Sequence, residues 1–469
     1  MDTPEDPAST KRVALLVATL SSFLTPFMGS SINVALPDIS NELGMDAVAL
    51  GWIASAYLLA AAMLLVPFGR LSDIYGRKRI FTYGVAIYSI GSLLAGFVSS
   101  GSMLIAARVV QGIGGAMMFG IGIAILTSVF PPHERGQALG INSAAVYIGL
   151  ASGPFIGGIL TEQFGWRTIF FSNAALGVAV LLIVFRGLKG EWAGAKGAKL
   201  DVAGSLVYSA TLVLVMYGFS LLPSTTGAVL LAAGVVGGLG FVRWEFRASS
   251  PVLDMRLFSE NRVFALSSLA TLINYSASYA VTFLLSLYLQ YLKGLSPQEA
   301  GLVLVAQPVV MAAGSPFAGK LSDKIEPRIV ASAGMGLIAI GLGFFAFLTD
   351  ETPVSGIVGG LVFLGAGFAL FSSPNTNAVM SSVEKRVYGV AAGTLATMRM
   401  TGQMLSLGIA MLIFAVLIGR VQIVAEHFPQ FLLSVRTAFA VFAGLCVGGI
   451  FASLARGRIQ RPAGRAKTD

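Results

Sequence analysis

Two arginines, Arg108 and Arg399, lie inside long apolar segments, where a charged side chain is a strong candidate for chemistry. A charge in the hydrocarbon region of a membrane is costly, and it usually faces a cavity or a partner. Either guanidinium could bind an anionic group of a substrate, modulate a proton site, or donate hydrogen bonds to helix carbonyls. The sequence alone leaves these three roles open.

Acidic side chains are missing at the same depth. All 22 Asp and Glu residues fall in predicted tails, loops or span ends. An interior whose deep charges are positive favours anions, so we expect a neutral or anionic organic substrate. Asp38 and Glu42, near the end of the first predicted helix, are the candidates for proton coupling, with ordinary solvated carboxylates as the alternative.

The composition indicates a membrane protein. Of the 469 residues, 55% are hydrophobic and 11% are charged, against about 25% charged in an ordinary soluble domain. The apolar runs are continuous and about 20 residues long, as membrane-spanning helices require, whereas a membrane barrel would alternate apolar and polar residues. We therefore predict an all-α protein whose partners are the lipid bilayer and a small organic substrate, and not nucleic acid despite a net charge of +9.

Other classes of site find little support in the composition. The single cysteine, Cys446, can form no internal disulfide and no metal cluster, and we predict neither a metal site nor a cofactor. The acidic start MDTPEDPAST differs from the basic start of a cleaved signal peptide, so we interpret the first apolar run as a retained helix. The sequence does not fix an oligomeric state.

Fourteen transmembrane helices fit the apolar pattern. The predicted spans are 13–36, 48–69, 80–98, 103–129, 138–160, 168–186, 202–222, 227–243, 263–292, 299–318, 329–348, 355–380, 387–418 and 436–455. An even number of spans places both termini on one side of the membrane.

The distribution of basic residues predicts which side that is. Of the 31 Lys and Arg, 25 lie in the segments on the side of the termini, and four lie on the other side. Loops rich in Lys and Arg stay in the cytoplasm. We therefore predict a multi-pass protein of the cell membrane with both termini in the cytoplasm.

A charged motif occurs twice at a spacing of 250 residues. FGRLSDIYGRKR begins at residue 68 and FAGKLSDKIEPR begins at residue 317, so that Asp73 and Asp323 correspond. Repeats of this length indicate two related six-helix bundles. We predict an N-terminal bundle over 1–190, an inserted transmembrane hairpin over 191–246, and a C-terminal bundle over 247–469.

Five motifs in order along the chain resemble those of the major facilitator superfamily, in particular its fourteen-helix drug:proton antiporter branch. They are NVALPDI (33–39), GRLSDIYGRKR (69–79), RVVQG (108–112), GLASGPFIGG (149–158) and KGLSPQEAG (293–301). The resemblance covers nearly the whole chain and implies transport by alternating access. In one respect the chain departs from the branch: Met28 stands five residues before Asn33, where an aspartate is usual.

Ten residues are candidates for a conformational gate. The resemblance implies that Asp73 helps to hold the two halves together on the cytoplasmic side when the cavity faces out. Gly153 and Pro154 interrupt the helix hydrogen bonds and can produce a bend, with plain close packing as the alternative. The complete set is Gly69, Asp73, Gly76, Arg77, Gly149, Gly153, Pro154, Gly157, Gly158 and Asp323.

Polar and aromatic residues on the helices expected to line the cavity are candidates for substrate contact. For each of them the alternative is a hydrogen bond between helices, because polar groups in lipid-embedded helices need partners. The candidates are Met28, Asn33, Arg108, Gln111, Tyr147, Asn274, Tyr275, Tyr279, Gln307, Asn375, Asn377, Arg399 and Gln403.

The sequence thus predicts a secondary active transporter, with proton-coupled efflux of an amphipathic neutral or anionic molecule as the preferred function. Uptake of an organic anion with a cotransported ion, and a membrane sensor built on a transporter fold, are the alternatives. A membrane-embedded enzyme is disfavoured, because two loop histidines and one cysteine supply no plausible catalytic group.

Overall fold

The computed structural model describes residues 7–131, 134–194, 200–248, 251, 253, 255–384 and 388–457. Within these ranges the chain is helical and contains no strand. The helices are α1 (Pro7–Leu43), α2 (Ala47–Tyr75), α3 (Arg77–Gly96), α4 (Gly101–Val129), α5 (Arg135–Phe164), α6 (Arg167–Gly187), α7 (Val202–Leu221), α8 (Thr225–Glu245), α9 (Arg256–Glu260), α10 (Arg262–Ser278), α11 (Ala280–Tyr291), α12 (Pro297–Leu304), α13 (Ala306–Lys324), α14 (Pro327–Phe345), α15 (Val354–Ser381), α16 (Tyr388–Leu417) and α17 (Phe428–Ala455).

Thirteen helical segments of the described chain are long and apolar enough to cross a membrane. Two of these segments are divided, α10–α11 at Tyr279 and α12–α13 at Val305. The remaining predicted span corresponds to α3, a 20-residue helix that packs on α4 and α6. The last predicted span begins too late, because α17 starts eight residues earlier, at Phe428.

Short polar motifs fix where several helices begin. The carboxylate of Asp46 accepts a hydrogen bond from the Ala49 amide at 2.7 Å. Ser296 and Glu299 form a reciprocal capping box at the start of α12, with Pro297 in the first turn. Such caps satisfy amide groups that have no partner within the helix. This local chemistry explains the residues of the KGLSPQEAG motif, independently of any role in transport.

The same packing pattern occurs twice in the chain. In α1–α6, here called the N-half, α3 packs on α4 and α6, and α4 also packs on α2. In α10–α17, here called the C-half, α14 packs on α15 and α17, and α15 also packs on α13. α1 pairs with α5 as α10 pairs with α16. Two bundles with one arrangement are what the repeated motif leads us to expect.

Helices α7 and α8 pack on each other and lie beside both halves. The Tyr208 hydroxyl donates to the Ala62 carbonyl of α2 at 3.1 Å, and the Ser209 hydroxyl donates to the Met63 carbonyl at 3.0 Å. On the other side, Met216 is buried against the C-half helix α16 near Gly408. The α7–α8 pair therefore covers the seam at which α2 meets α16.

The two halves are joined at one face of the bundle. We call the face at which α1 begins and α17 ends the terminal face, and the other the opposite face. At the opposite face, Ser286 donates to the Asn33 carbonyl at 2.7 Å and the Ala47 amide donates to the Val421 carbonyl at 3.0 Å. At the same face, Gln290 Nε2 donates to the Val34 carbonyl at 2.9 Å and the Gln298 amide donates to Glu162 at 3.1 Å.

Candidate substrate-binding site

Arg108 is a fully buried arginine whose hydrogen bonds lie within the N-half. Its Nε donates to the Ile53 carbonyl of α2 at 2.8 Å, and its Nη1 donates to Gln111 Oε1 at 2.7 Å. Gln111 in turn donates to the Ser92 hydroxyl at 2.7 Å. The guanidinium also lies 4.7 Å from the centre of the Tyr57 ring. This chain of contacts ties α4 to α2 and α3, and it favours the structural role among the three that the sequence left open.

Arg399 has a different environment. Its guanidinium carbon lies 5.3 Å from the centre of the Tyr275 ring on α10, a distance at which a cation is attracted to the ring face. Its Nε is buried and has no hydrogen-bond partner, although the side chain as a whole is only partly buried. A buried donor without a protein partner is a candidate for contact with a ligand.

Two tyrosines one helical turn apart bring the environments of the two arginines together. Tyr275 lies under Arg399 and also near Tyr147 of the N-half. Tyr279 lies near Arg108, and its hydroxyl would be 3.8 Å from a Cβ placed on Gly29 of α1. Because residues four apart share one face of a helix, this face of α10 is directed towards the N-half.

Several other predicted cavity residues lie in helix packing. Met28 is 1% exposed, and it belongs to the main hydrophobic core. The Asn33 carbonyl accepts from Ser286, whereas its side-chain oxygen is buried without a partner. Asn274 is completely buried, and neither atom of its amide group has a partner. Gln307 and Gln403 are both partly buried, on α13 and α16.

Asn375 and Asn377 lie near the terminal face, inside the C-half. The Asn375 amide donates to the Ser267 carbonyl at 3.1 Å and to Thr271 Oγ1 at 2.8 Å, and its oxygen accepts from Arg456 at 2.6 Å. Because these bonds occupy the Asn375 amide, we assign it to a network between helices rather than to the cavity. Asn377 bonds to Ser322 and Ser381 on the same half.

Arg456, which directly follows α17, is a third buried arginine, and its side chain is 2% exposed. Its guanidinium donates to Ser267 Oγ at 3.0 Å as well as to Asn375. Burial lowers the pKa of Arg456 to about 10, so the side chain remains charged at neutral pH.

The predicted gate motif forms a compact network in the N-half. Arg77 donates to the Asp73 carboxylate at 2.8 and 3.0 Å, and also to Ser128 and to the Ala124 carbonyl of α4. A Cβ on Gly69 would meet nothing within 4 Å. Asp323 lies in α13, but its side chain is outside the part of the chain that the structure describes.

Glu191 is a member of this network that the sequence analysis missed. Its carboxylate accepts from the amides of Lys78 and Arg79 at 2.8 and 3.1 Å, at the start of α3. It also lies against Gly76, whose φ of +119° is accessible chiefly to glycine. The signal available in the sequence was an acid placed early in the otherwise basic linker that follows α6.

The glycines of α5 allow close contact with two different helices. Gly149, Gly153 and Gly157 face α1, where a Cβ on Gly157 would lie 2.7 Å from the Ser31 side chain. Gly158 faces the C-half, because its Cβ would lie 2.6 Å from the Pro297 carbonyl oxygen of α12. Pro154 lies inside the helix. This surface joins the halves at the opposite face.

The two candidates for proton coupling lie near the C-terminal end of α1, at the opposite face. Glu42 accepts a hydrogen bond from Trp166 Nε1 at 2.7 Å and forms an ion pair with Arg167. Asp38 is partly buried and has Glu42 and Glu162 as acidic neighbours. Both carboxylates are thus remote from the terminal-face network.

The fold and the site together define a class. Two similar helical bundles, joined at one face, enclose polar and aromatic side chains contributed by both, and this is the architecture of an alternating-access membrane transporter. The sequence model of the Major Facilitator Superfamily matches residues 18–402 and, in a second match, 267–468. The chain belongs to this superfamily, and it is a transporter rather than an enzyme.

Several known transporters are similar to this chain over most of their length. The riboflavin transporter RibZ of Clostridioides difficile (strain 630) is 30% identical over 440 residues, which cover 94% of this chain and 96% of that protein. The cephamycin export protein CmcT of Amycolatopsis lactamdurans is 35% identical over 404 residues, covering 84% and 83%. A crystal structure of a bacterial homologue of the human lysosomal transporter Spinster superposes with a TM-score of 0.71 at 19% identity, covering 95% of this chain and 97% of that one.

Proposed function

We propose that this protein is a proton-coupled exporter of amphipathic neutral or anionic organic molecules. The observation that carries the proposal is Arg399, a partly buried arginine with an unpaired Nε beside the Tyr275 ring. The acidic residues in the described helices lie close to helix ends. A deep cation that has no deep carboxylate beside it attracts anions and repels cations.

The proposal includes a topology. The chain crosses the cell membrane fourteen times, with α3 as one of the crossings and α7–α8 as an inserted hairpin between the two bundles. Both termini lie in the cytoplasm, in agreement with the excess of Lys and Arg in the segments on that side. With this orientation, the hydrogen bonds at the opposite face close the protein to the outside.

The similar proteins support export and the substrate class. One is described as a cephamycin export protein, and others are described as multidrug resistance or drug efflux proteins. Another is described as a riboflavin transporter. Neither riboflavin nor a cephamycin is a simple organic cation, which agrees with the charge of the proposed cavity.

Transport by reconstituted protein tests the function. Purified protein in vesicles preloaded with unlabelled riboflavin or a cephamycin should exchange it for labelled compound outside, and a pH gradient should drive accumulation that a protonophore abolishes. Vesicles containing the Arg399→Ala variant should transport the cephamycin, the anionic compound of the two, more slowly. Flux without counterflow would indicate a channel, and binding without any flux would indicate a sensor; either result would contradict the proposal.

A further inference from the structure

The side chains around Arg399 specify more than a charge preference. We propose that Arg399, Tyr275 and Tyr147 form a subsite for a flat aromatic ring that carries a carboxylate. The inference rests on the proposed function, because it places this ligand in the same interior. It adds a shape and an orientation, with the ligand ring beside Tyr275 and the carboxylate on the guanidinium.

Arg399 has one guanidinium donor that no protein group uses. Its Nε is buried and unpartnered, whereas Nε of Arg108 is bonded to the Ile53 carbonyl. A guanidinium can bind a carboxylate through two parallel hydrogen bonds, and these are among the strongest in proteins. Of the two deep arginines, Arg399 is therefore the one equipped to bind an anion.

The surfaces next to Arg399 are aromatic. Tyr275 lies with its ring 5.3 Å from the guanidinium, and Phe368 packs edge-on against that ring at 5.3 Å between centres. The T-shaped contact with Phe368 holds the Tyr275 ring in place. The flat Tyr275 ring beside the Arg399 guanidinium favours a ligand whose own ring can stack on aromatic surface while its carboxylate binds the guanidinium.

The two halves contribute different sides of this subsite. Arg399 and Tyr275 belong to the C-half, and Tyr147 belongs to α5 of the N-half. Ser372 of α15 lies near the Tyr275 hydroxyl, and provides a further polar group. A ligand that bridges Tyr147 and Arg399 would bind best when the halves have one particular separation, which couples binding to the movement between them.

Calorimetric binding to the detergent-purified protein tests the subsite without requiring transport. The probes are 2-naphthoate, the uncharged 2-naphthalenemethanol and the cationic 2-naphthylmethylammonium, which share one ring system. We expect 2-naphthoate to bind most tightly and the cation most weakly. Arg399→Gln should weaken 2-naphthoate binding at least tenfold, as expected for loss of a charge-assisted hydrogen bond, with little change for the alcohol.

Matched variants separate the subsite from general destabilisation. Arg399→Lys keeps the charge but loses the planar donor pair, and we expect an intermediate loss of affinity. Tyr147→Ala should weaken all three probes, whereas the exposed Arg247→Gln should weaken none. The melting temperature of each variant shows whether it is folded.

The proposal would be overturned if Arg399→Gln, in folded form, bound 2-naphthoate as wild type does. It would also be overturned if the cation bound most tightly, or if no probe bound. These results would leave the vesicle assay unaffected, because a transported compound could bind elsewhere in the interior. Absence of counterflow would contradict the proposed function separately.

Discussion

Gly301 on α12 lies directly against the main-chain carbonyl of Pro154 on α5, so close that a Cβ at position 301 would overlap the carbonyl oxygen. One step along the same interface, Gly158 lies against the Pro297 carbonyl. The halves therefore meet backbone to backbone at the opposite face, without intervening side chains. A contact of this kind is sensitive to a single methyl group, because neither backbone can move without its helix.

We expect Gly301→Ala to weaken the closure of the opposite face. The added methyl group must displace α5 or α12, although alanine is otherwise favoured over glycine in a helix by about 1 kcal/mol. The measurement is maleimide labelling, from the side of the opposite face, of a cysteine introduced at the fully buried Val34 in a Cys446→Ala background. Labelling should be faster in the Gly301→Ala protein.

Gly336→Ala is the matched control, because a Cβ at Gly336 would meet nothing within 4 Å. Labelling in that variant should equal the rate without the substitution. Equal rates for Gly301→Ala and Gly336→Ala, in folded protein, would show that the α5–α12 contact does not close this face.

Arg108→Met should destabilise the protein more than Arg399→Gln does. Removing the Arg108 guanidinium leaves the buried Gln111 oxygen without its donor, at a cost of about 1–3 kcal/mol, and it removes the tie between α4 and the Ile53 carbonyl of α2. Arg399 makes no comparable bond through its Nε. Thermal unfolding in detergent, with the exposed Arg247→Met as control, measures the order of the three melting temperatures. An Arg399 variant that melted below Arg108→Met would reverse the two assignments.

The contrast between these arginines shows where sequence reasoning stops. Hydropathy and charge placed both residues inside helices, because these properties follow from residue type alone, whereas the family was indicated by five short motifs. The partner of Arg108, however, is a main-chain carbonyl 55 residues away, and a carbonyl has no signature in the sequence. The position of Tyr275 under Arg399 likewise depends on how α10 packs on α16, which no local pattern records.

Arg456 illustrates the same limit at the end of the last helix. Its neighbours in the sequence are small and basic, so the sequence counts it with the basic residues on the side of the termini and gives no sign that its side chain is buried. The direction of its side chain is decided by Asn375, 81 residues earlier, which offers a buried amide oxygen. A basic residue that directly follows an apolar helix can be solvated or turned inward, and the sequence does not distinguish the two.

Arg456→Gln should lower the stability of the C-half. The shorter amide side chain cannot bond to both Ser267 and Asn375 as the guanidinium does, and hydrogen bonds to charged groups contribute about 1.5–3 kcal/mol each. We expect a lower melting temperature and faster hydrogen exchange in α10 and α15, with α3 and α4 unchanged. Exchange that was unaltered in α10 and α15 would contradict the assignment of Arg456 to this network.

Asp73→Asn tests the proposed gate. Arg77 keeps its bonds to Ser128 and to the Ala124 carbonyl in this variant, so the fold should be preserved. If Asp73 holds the halves together in the outward-facing state, its neutralisation should slow transport and raise the accessibility of the interior from the terminal face. Asp350→Asn, an exposed loop acid at the opposite face, is the control. Wild-type transport and accessibility in Asp73→Asn would remove the gate role.

The position of the α7–α8 pair has a consequence for hydrophobic molecules dissolved in the bilayer. Between the bundles there are two lateral seams, one where α2 meets α16 and one where α5 meets α12 and α13. Tyr208 and Ser209 fasten the added pair along the first seam. The pair thereby shields that seam from compounds dissolved in the bilayer, whereas α5 closes the second seam by its own contacts with α12 and α13.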